Sequence, residues 1–449
     1  MSVYEYTTYN TGLEYDVYDK PSVGKSIVLG IQNILTSFGG IVAVPLSIAG
    51  IAGLSIVDTA YIVSAALLAS GVASIMQSKG FGPKNYRVGI GLPTVMGTDF
   101  GFVPAANVVI NSMGGGLPAY FGGAILGGIL EFILSHFVEP LMKIFTPIIT
   151  GTVITLMGLS MMPVAFDWIG GGFGNPNYGD PIYLIIAVTV LLVVLFLNRY
   201  GKGMASSAAV LIGMVVGYII SIPFGLVDFS KVAEAYWFKL PEIGRFGIDF
   251  NIKYSIPFIA GYLVTIIETV GVMQTLGEVT YTELTGKDMA AGVRADALGS
   301  MVGPLLGSGP VQSFSQNVGL IPLTKCGSRF VAIITGILLI VISFCPKFAT
   351  IISIMPECVL GGASIVMFGT VAVSGIKTIS KVRYTNRNML IVASALGIGL
   401  GVTFRPAILE QLPGVLSSLF SSGLSAGTVV ALVLSAILKE EEESKPELE

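Results

Sequence analysis

The sequence predicts an all-α polytopic membrane protein of fourteen transmembrane segments, arranged as two inverted repeats of seven. Three observations carry that prediction. Apolar runs of spanning length cover most of the chain, Lys and Arg concentrate in alternate loops, and two interrupted spans occupy matching positions in the two halves. The chain has 449 residues, 53% hydrophobic and only 11% charged, where a soluble domain carries about 25% charged residues. Its 57 glycines suit close helix packing in lipid. A net charge of −3 gives no sign of nucleic-acid binding; part of it is the run Glu440-Glu441-Glu442-Glu443, read as a solvated end.

A span needs about 20 mainly apolar residues. Clear runs lie near 26–44, 55–77, 118–140, 146–166, 181–198, 205–224, 254–278, 328–346, 357–376, 388–404 and 425–438. Weaker, interrupted ones lie near 93–110, 288–305 and 310–324. With the N-terminus inside, the cytoplasmic loops carry Lys79, Lys84 and Arg87, then Lys143, then Arg199 and Lys202, then Lys325 and Arg329, then Lys377, Lys381, Arg383 and Arg387. The outer loops near 46–54, 111–117, 167–180 and 306–309 carry none, which is the positive-inside pattern. Lys347 and Arg405 are single exceptions; the larger one is the segment 225–253, with Lys231, Lys239 and Arg245. Residues 1–20 are polar and Tyr-rich without a signal-peptide core, and read as a disordered or interfacial tail. Both termini are expected in the cytoplasm, and the short loops suit a bacterial inner (plasma) membrane.

Fourteen divides as seven plus seven, and an odd repeat inverts the second copy. The third span contains Gly91-Leu92-Pro93 and Gly97-Thr98-Asp99-Phe100-Gly101-Phe102-Val103-Pro104; the tenth contains Gly307-Ser308-Gly309-Pro310 and then Gln316-Asn317. Paired broken spans point to a transporter's binding site. Each is expected to hold an extended piece leading into a half-helix. The two pieces can pair as short antiparallel strands, satisfying each other's backbone groups.

Within this frame a few polar residues could carry chemistry. Glu268 lies well inside the eighth span, where an acidic side chain costs about 2.5–3.5 kcal/mol to insert. It reads as a substrate ligand, or as a structural bond to another helix. Gln316 offers an amide donor and a carbonyl acceptor in one plane, matching a ring edge with adjacent N–H and C=O groups. Asn317 points elsewhere and is expected to tie the two extended pieces together; helix–helix glue is the plain alternative for both. Asp296, in the weak ninth span, is a proton-relay candidate with Glu268, or a helix-end carboxylate in water. Gln32 and Asn33 can line the same cavity. Gly39, Gly40, Gly97 and Gly101 would let backbone or a flat ligand come close, and Phe100 can stack on a planar ring or fill core. Cys326, Cys345 and Cys358 have no metal or redox spacing, and His136 alone cannot build a metal site. No metal or cofactor is expected.

These residues resemble the nucleobase–ascorbate transporter family, also called nucleobase:cation symporter-2. Its signature is Gln, Glu or Pro, then Asn, any residue, Gly, four residues, Thr, and Arg, Lys or Gly. Gln316, Asn317, Gly319, Thr324 and Lys325 meet every position, in a broken tenth span. The resemblance covers roughly 24–438. It includes Gln32 and Pro45, Gly97 and Phe100, Pro147 and Gly151, Glu268 and Gly271, Asp296, and Pro356, Gly361 and Gly362.

The resemblance implies a cytoplasmic tail (1–23), core halves at 24–143 and 254–346, gate halves at 144–253 and 347–438, and an acidic tail (439–449). It implies a homodimer and an elevator motion of core against gate. Substrate would sit between the third and tenth spans, held by Glu268 and Gln316 with Phe100, Gly97, Gly101, Ser315 and Asn317, and supported by Gln32, Asn33 and Thr324. Ser313 to Gly319 is most similar to the xanthine and uric-acid branch, while uracil members tend to have Glu where this chain has Gln316. Two positions depart from the family pattern: Asn33 stands where His is common, and Val272 where Asp or His is common. Coupling then rests on Glu268 and Asp296, with the proton as the expected ion and sodium as the alternative, or is absent. The expected function is proton-coupled uptake of xanthine or uric acid. Uracil or another base, an inorganic anion, an intramembrane enzyme and a non-transporting receptor are the competing readings.

Overall fold

The computed structural model describes residues 12–83, 86–172, 174–409, 411, 420 and 422–438. The expected acidic tail, Lys84 and the start of the N-terminal tail lie outside them. In chain order the helices are α1 (Val23–Ile51), α2 (Ile56–Lys79), α3 (Val103–Asn107), α4 (Gly116–Leu134), α5 (Val138–Ile144), α6 (Pro147–Ser160), α7 (Met162–Ile169), α8 (Pro181–Tyr200), α9 (Met204–Ser207) and α10 (Ala209–Ser221). They continue with α11 (Ser230–Glu234), α12 (Phe258–Val279), α13 (Gly286–Leu306), α14 (Ser315–Val318), α15 (Leu320–Thr324), α16 (Arg329–Ser343), α17 (Pro346–Ser353), α18 (Glu357–Ile379), α19 (Asn386–Phe404) and α20 (Gly423–Ile437). Strands β1 (Met96–Thr98) and β2 (Val311–Ser313) precede α3 and α14. Among the described residues eight helices are long and apolar enough to cross a membrane, or nine if α16 and α17, bent by 84°, form one span. The chain is thus a multi-pass membrane protein.

Local chemistry sets the ends. The hydroxyls of Ser22 and Ser55 accept the N–H groups of Lys25 and Asp58 at the starts of α1 and α2. Thr285 and Asp288 form a capping box on α13, which stops at Gly307 with φ +89°. The tightest crossings are seated on glycine. A Cβ on Gly71 of α2 would stand 2.6 Å from the Gly336 carbonyl of α16, and one on Gly151 of α6 would stand 2.8 Å from that of Gly375 on α18.

The strands pair antiparallel, with Met96 opposite Ser313, Gly97 opposite Gln312 and Thr98 opposite Val311. Two bonds extend the ladder: Phe314 N–H to Val95 O (2.9 Å) and Asp99 N–H to Pro310 O (3.2 Å). The outer edges of so short a sheet need other partners. Ser74 of α2 accepts the Met96 N–H (2.8 Å), and Ser300 of α13 accepts the Val311 N–H (3.2 Å). Each edge is therefore closed by a serine from the helix that precedes its strand.

Two readings of the sequence are corrected. The described part of the N-terminal tail is not free. Glu14 N–H bonds to Lys325 O and Gly327 N–H to Tyr15 O, each at 2.8 Å, and Val17 is buried. The segment 225–253 also has a structural account. Lys231 pairs with Glu234 (3.1 Å), Lys239 with Glu242 (2.6 Å), and Arg245 with Asp58 (2.7 Å) and Glu242 (3.3 Å). Its backbone is pinned to helix ends, Gly244 N–H to Leu305 O and Asp249 N–H to Pro118 O. Lys231, Lys239 and Arg245 are thus each paired with an acidic group where they stand.

Candidate functional site

The site is built outward from the strand pair. Phe314, at the end of β2, is buried, and its ring fills the space left by two glycines: a Cβ on Gly97 would meet it at 2.4 Å, one on Gly40 at 2.9 Å. These glycines make room for the Phe314 ring. Gly39 is approached by Val210 and Met367, and Gly101 by the Asp99 carboxylate and Met157. Gly97→Ala is expected to displace Phe314 and the half-helix behind it. Overpacking of this kind costs about 1–3 kcal/mol. A lower melting temperature with weakened ligand binding checks it, whereas Gly24→Ala, whose Cβ meets nothing, should change neither.

Anchoring Phe314 sets the direction of α14. Ser315 and Gln316 are exposed, and the Gln316 amide nitrogen lies 3.4 Å from the Cβ position of Gly40. Gln316 is thus exposed beside α1. Asn317, one step on, is buried and donates to the backbone (2.9 Å) and side-chain (3.1 Å) oxygens of Asn33. It ties α14 to α1, which corrects the expectation that it joins the two strands. α12 packs against β2, α14 and the turn at Phe100–Phe102. It carries Glu268, half-buried, with its carboxyl set against the Gln312 side-chain amide. Phe100 is half-buried and meets Phe368 of α18 edge to face, ring centres 4.9 Å apart.

The supporting residues gather elsewhere. Gln32, Asn33, Asn317 and Thr324 line a cavity with Pro93 and Cys326. Gln32 also reaches Ser207 of α9 (3.4 Å), and Thr324 bonds its own helix at Leu320 O (2.8 Å).

Asp296 is completely buried, not a helix-end group in water. It accepts from Gln77 Nε2 (2.8 Å), Ser313 Oγ (2.9 Å), the Ser313 N–H (3.2 Å) and the Thr269 hydroxyl. Four segments, α2, α12, α13 and β2, meet on this one carboxylate. Sequence reasoning missed a similar node. Asp99 is buried and accepts from the Gly101 N–H (2.7 Å) and from Thr265 of α12 (2.8 Å). The insertion cost that singled out Glu268 applies equally to Asp99 and would have found it. Gln77, Gln312 and Thr265 carry no sequence signal apart from lying at membrane depth. Among the described residues no three His, Cys, Asp or Glu side chains form a metal-binding group. The two helices that carry Glu268 and Gln316, α12 and α14, pack against each other.

Comparison with known proteins gives the same direction. The model of a permease family matches residues 24–408. The uric acid transporter UacT of Escherichia coli (strain K12) is 39% identical over 417 residues, 92% of this chain and 86% of that protein. The xanthine permease of Bacillus subtilis (strain 168) is 36% identical over 416 residues, 92% and 94% of the two chains. The transmembrane domain of the cyanobacterial bicarbonate transporter BicA shares the fold, with a TM-score of 0.65 at 14% identity over 88% of this chain and 99% of that one. The match over most of its length, with relatives named as permeases, places this chain in the nucleobase–ascorbate transporter family, as a permease and not an enzyme.

Proposed function

We propose that the chain is a secondary-active uptake permease for oxidised purine nucleobases, xanthine or uric acid, driven by proton symport. One observation carries the binding site. α12, which carries the half-buried Glu268, packs against β2 and against α14, where Gln316 is exposed. The carboxylate would accept ring N–H groups while the amide both donates to a ring carbonyl and accepts from an N–H. Purine-diones and triones present several such edges, and the relatives' names fall in the same class. Ser315 and Phe100 would border the base. An inorganic-anion site, as the fold of BicA invites, is disfavoured by the Glu268 carboxylate.

We read the strand-containing segments as spans three and ten of a fourteen-span, seven-plus-seven inverted repeat, and the serines at the two strand edges support that symmetry. α1–α5 with α12–α16 would be the core, and α6–α10 with α17–α20 the gate. Contacts between them include the apolar pairs Phe100–Phe368 and Gly39–Met367 and the polar pair Gln32–Ser207. Such a surface can slide without breaking many hydrogen bonds, which suits an elevator. The 225–253 strap, pinned to α2, α4 and α13, would travel with the core. α8 and α19 are about 22% buried over their apolar windows and leave faces for lipid or a second copy; we propose a homodimer with cytoplasmic termini in a bacterial plasma membrane.

A thermal-shift panel of xanthine, urate, uracil, guanine, hypoxanthine, sulfate and bicarbonate tests the reading. Xanthine or urate should raise the melting temperature, and Gln316→Ala should weaken that ligand about tenfold with the unliganded melting point unchanged. Stabilisation by the anions alone would overturn it.

A further inference from the structure

Glu131 lies on α4, one turn beyond Gly128, which meets the Ala297 carbonyl of α13 and the Tyr262 hydroxyl of α12. It is completely buried, and among the described residues neither carboxyl oxygen has a hydrogen-bond partner. The other interior carboxyls differ. Asp296 accepts from four donors, Asp99 from two, and Glu268 faces Gln312.

The charges around Glu131 give it no relief. Asp296 on α13 and then Asp99 act on it most strongly, and both are acidic. Tyr262 on α12 is within electrostatic reach, but its hydroxyl donates to Ala124 O at 2.6 Å. Arg294 on α13 turns its guanidinium to Arg87 O (2.9 Å). His136, at the end of α4, bonds to Phe132 O (3.1 Å), and Tyr254, from the turn at Ile252–Ser255, packs at the opposite end near Gly115 and Gly123. A dry carboxylate with no donor and no cation is strongly disfavoured against its neutral form. A full set of donors favours the anion instead, which is the situation of Asp296.

We propose that Glu131 is a proton-binding site inside the helix bundle, and that its proton is the one exchanged during transport. The second half rests on the proton-symport reading above. Asp296 then acts as a positioning residue. Glutamine mimics the neutral carboxyl, so Glu131→Gln should fold normally.

The test pairs infrared spectroscopy of the full chain in lipid with transport in proteoliposomes. At neutral pH the wild type should show the C=O stretch of a neutral carboxyl, and Glu131→Gln should lose one such band. The variant should keep the purine-induced thermal shift and purine exchange, but lose accumulation driven by a proton gradient. A wild type without the band, or a band that persists in Glu131→Gln, overturns the site. Gradient-driven accumulation at the wild-type rate in Glu131→Gln overturns the carrier role. A wild type that transports purine without responding to a proton gradient refutes symport, and the band still decides the site. If glutamine impairs folding, Glu131→Asp replaces it: a band shifted in frequency supports the site and an unmoved band refutes it.

Discussion

Glu268→Ala is expected to weaken purine binding by about 1.5–3 kcal/mol, roughly 10- to 150-fold in Kd, while leaving the unliganded protein as stable as before or more so. The two effects have one cause. An acidic group within a membrane helix costs about 2.5–3.5 kcal/mol on insertion scales. Here its protein partner is the Gln312 amide, and the residue is half-buried. Such a group contributes little to the resting fold and much to a ligand that offers N–H donors. Glu268→Gln should fall between, because an amide oxygen still accepts a hydrogen bond without the charge. Isothermal calorimetry with xanthine or urate measures the first effect and thermal unfolding the second. Unchanged affinity in Glu268→Ala would remove this residue from the site. A large drop in melting temperature would make it a packing residue instead.

What the sequence made legible follows the range of the physics involved. Long apolar runs and capping residues are local, and helices cover the clear apolar runs, although among the described residues eight or nine, against the fourteen expected, are long and apolar enough to cross a membrane. Gly307 to Pro310 break a span, and β2 follows them directly. The pairing of β2 with β1 was accessible too, because two extended segments in lipid have few other ways to satisfy their backbones. Partner choice was not legible. Nothing local shows that Phe314 fills the space above Gly40 and Gly97, that Asn317 reaches back to Asn33, or that Gln77 bonds to Asp296 across more than two hundred residues. The strap near 225–253 looked anomalous for the same reason, since the acid that neutralises Arg245 from outside the strap, Asp58, lies far away in sequence. Asp99 is the exception. It was readable from its depth and its charge, but its segment drew attention for its glycines.

The Asp296 node permits a contrast with Glu268, because the two carboxylates sit in opposite circumstances. Asp296→Ala would take an acceptor from the Thr269 hydroxyl, from both Ser313 donors and from the Gln77 amide, which keeps Gly292 O and Ser313 Oγ. A stranded buried donor costs about 1–3 kcal/mol. Asp296→Asn should also be costly, since a single amide oxygen cannot replace two carboxylate oxygens serving four donors. The Ser313 N–H closes the last register position of β2, next to Phe314, so its release should let the half-helix that carries Gln316 drift. Affinity and melting temperature are therefore expected to fall together for Asp296 variants, where Glu268→Ala lowers affinity alone. A melting curve and a binding isotherm for each variant separate the two. If Asp296→Ala lost binding with its melting temperature intact, the carboxylate would be acting on the substrate or its proton, and the positioning role assigned to it would be wrong.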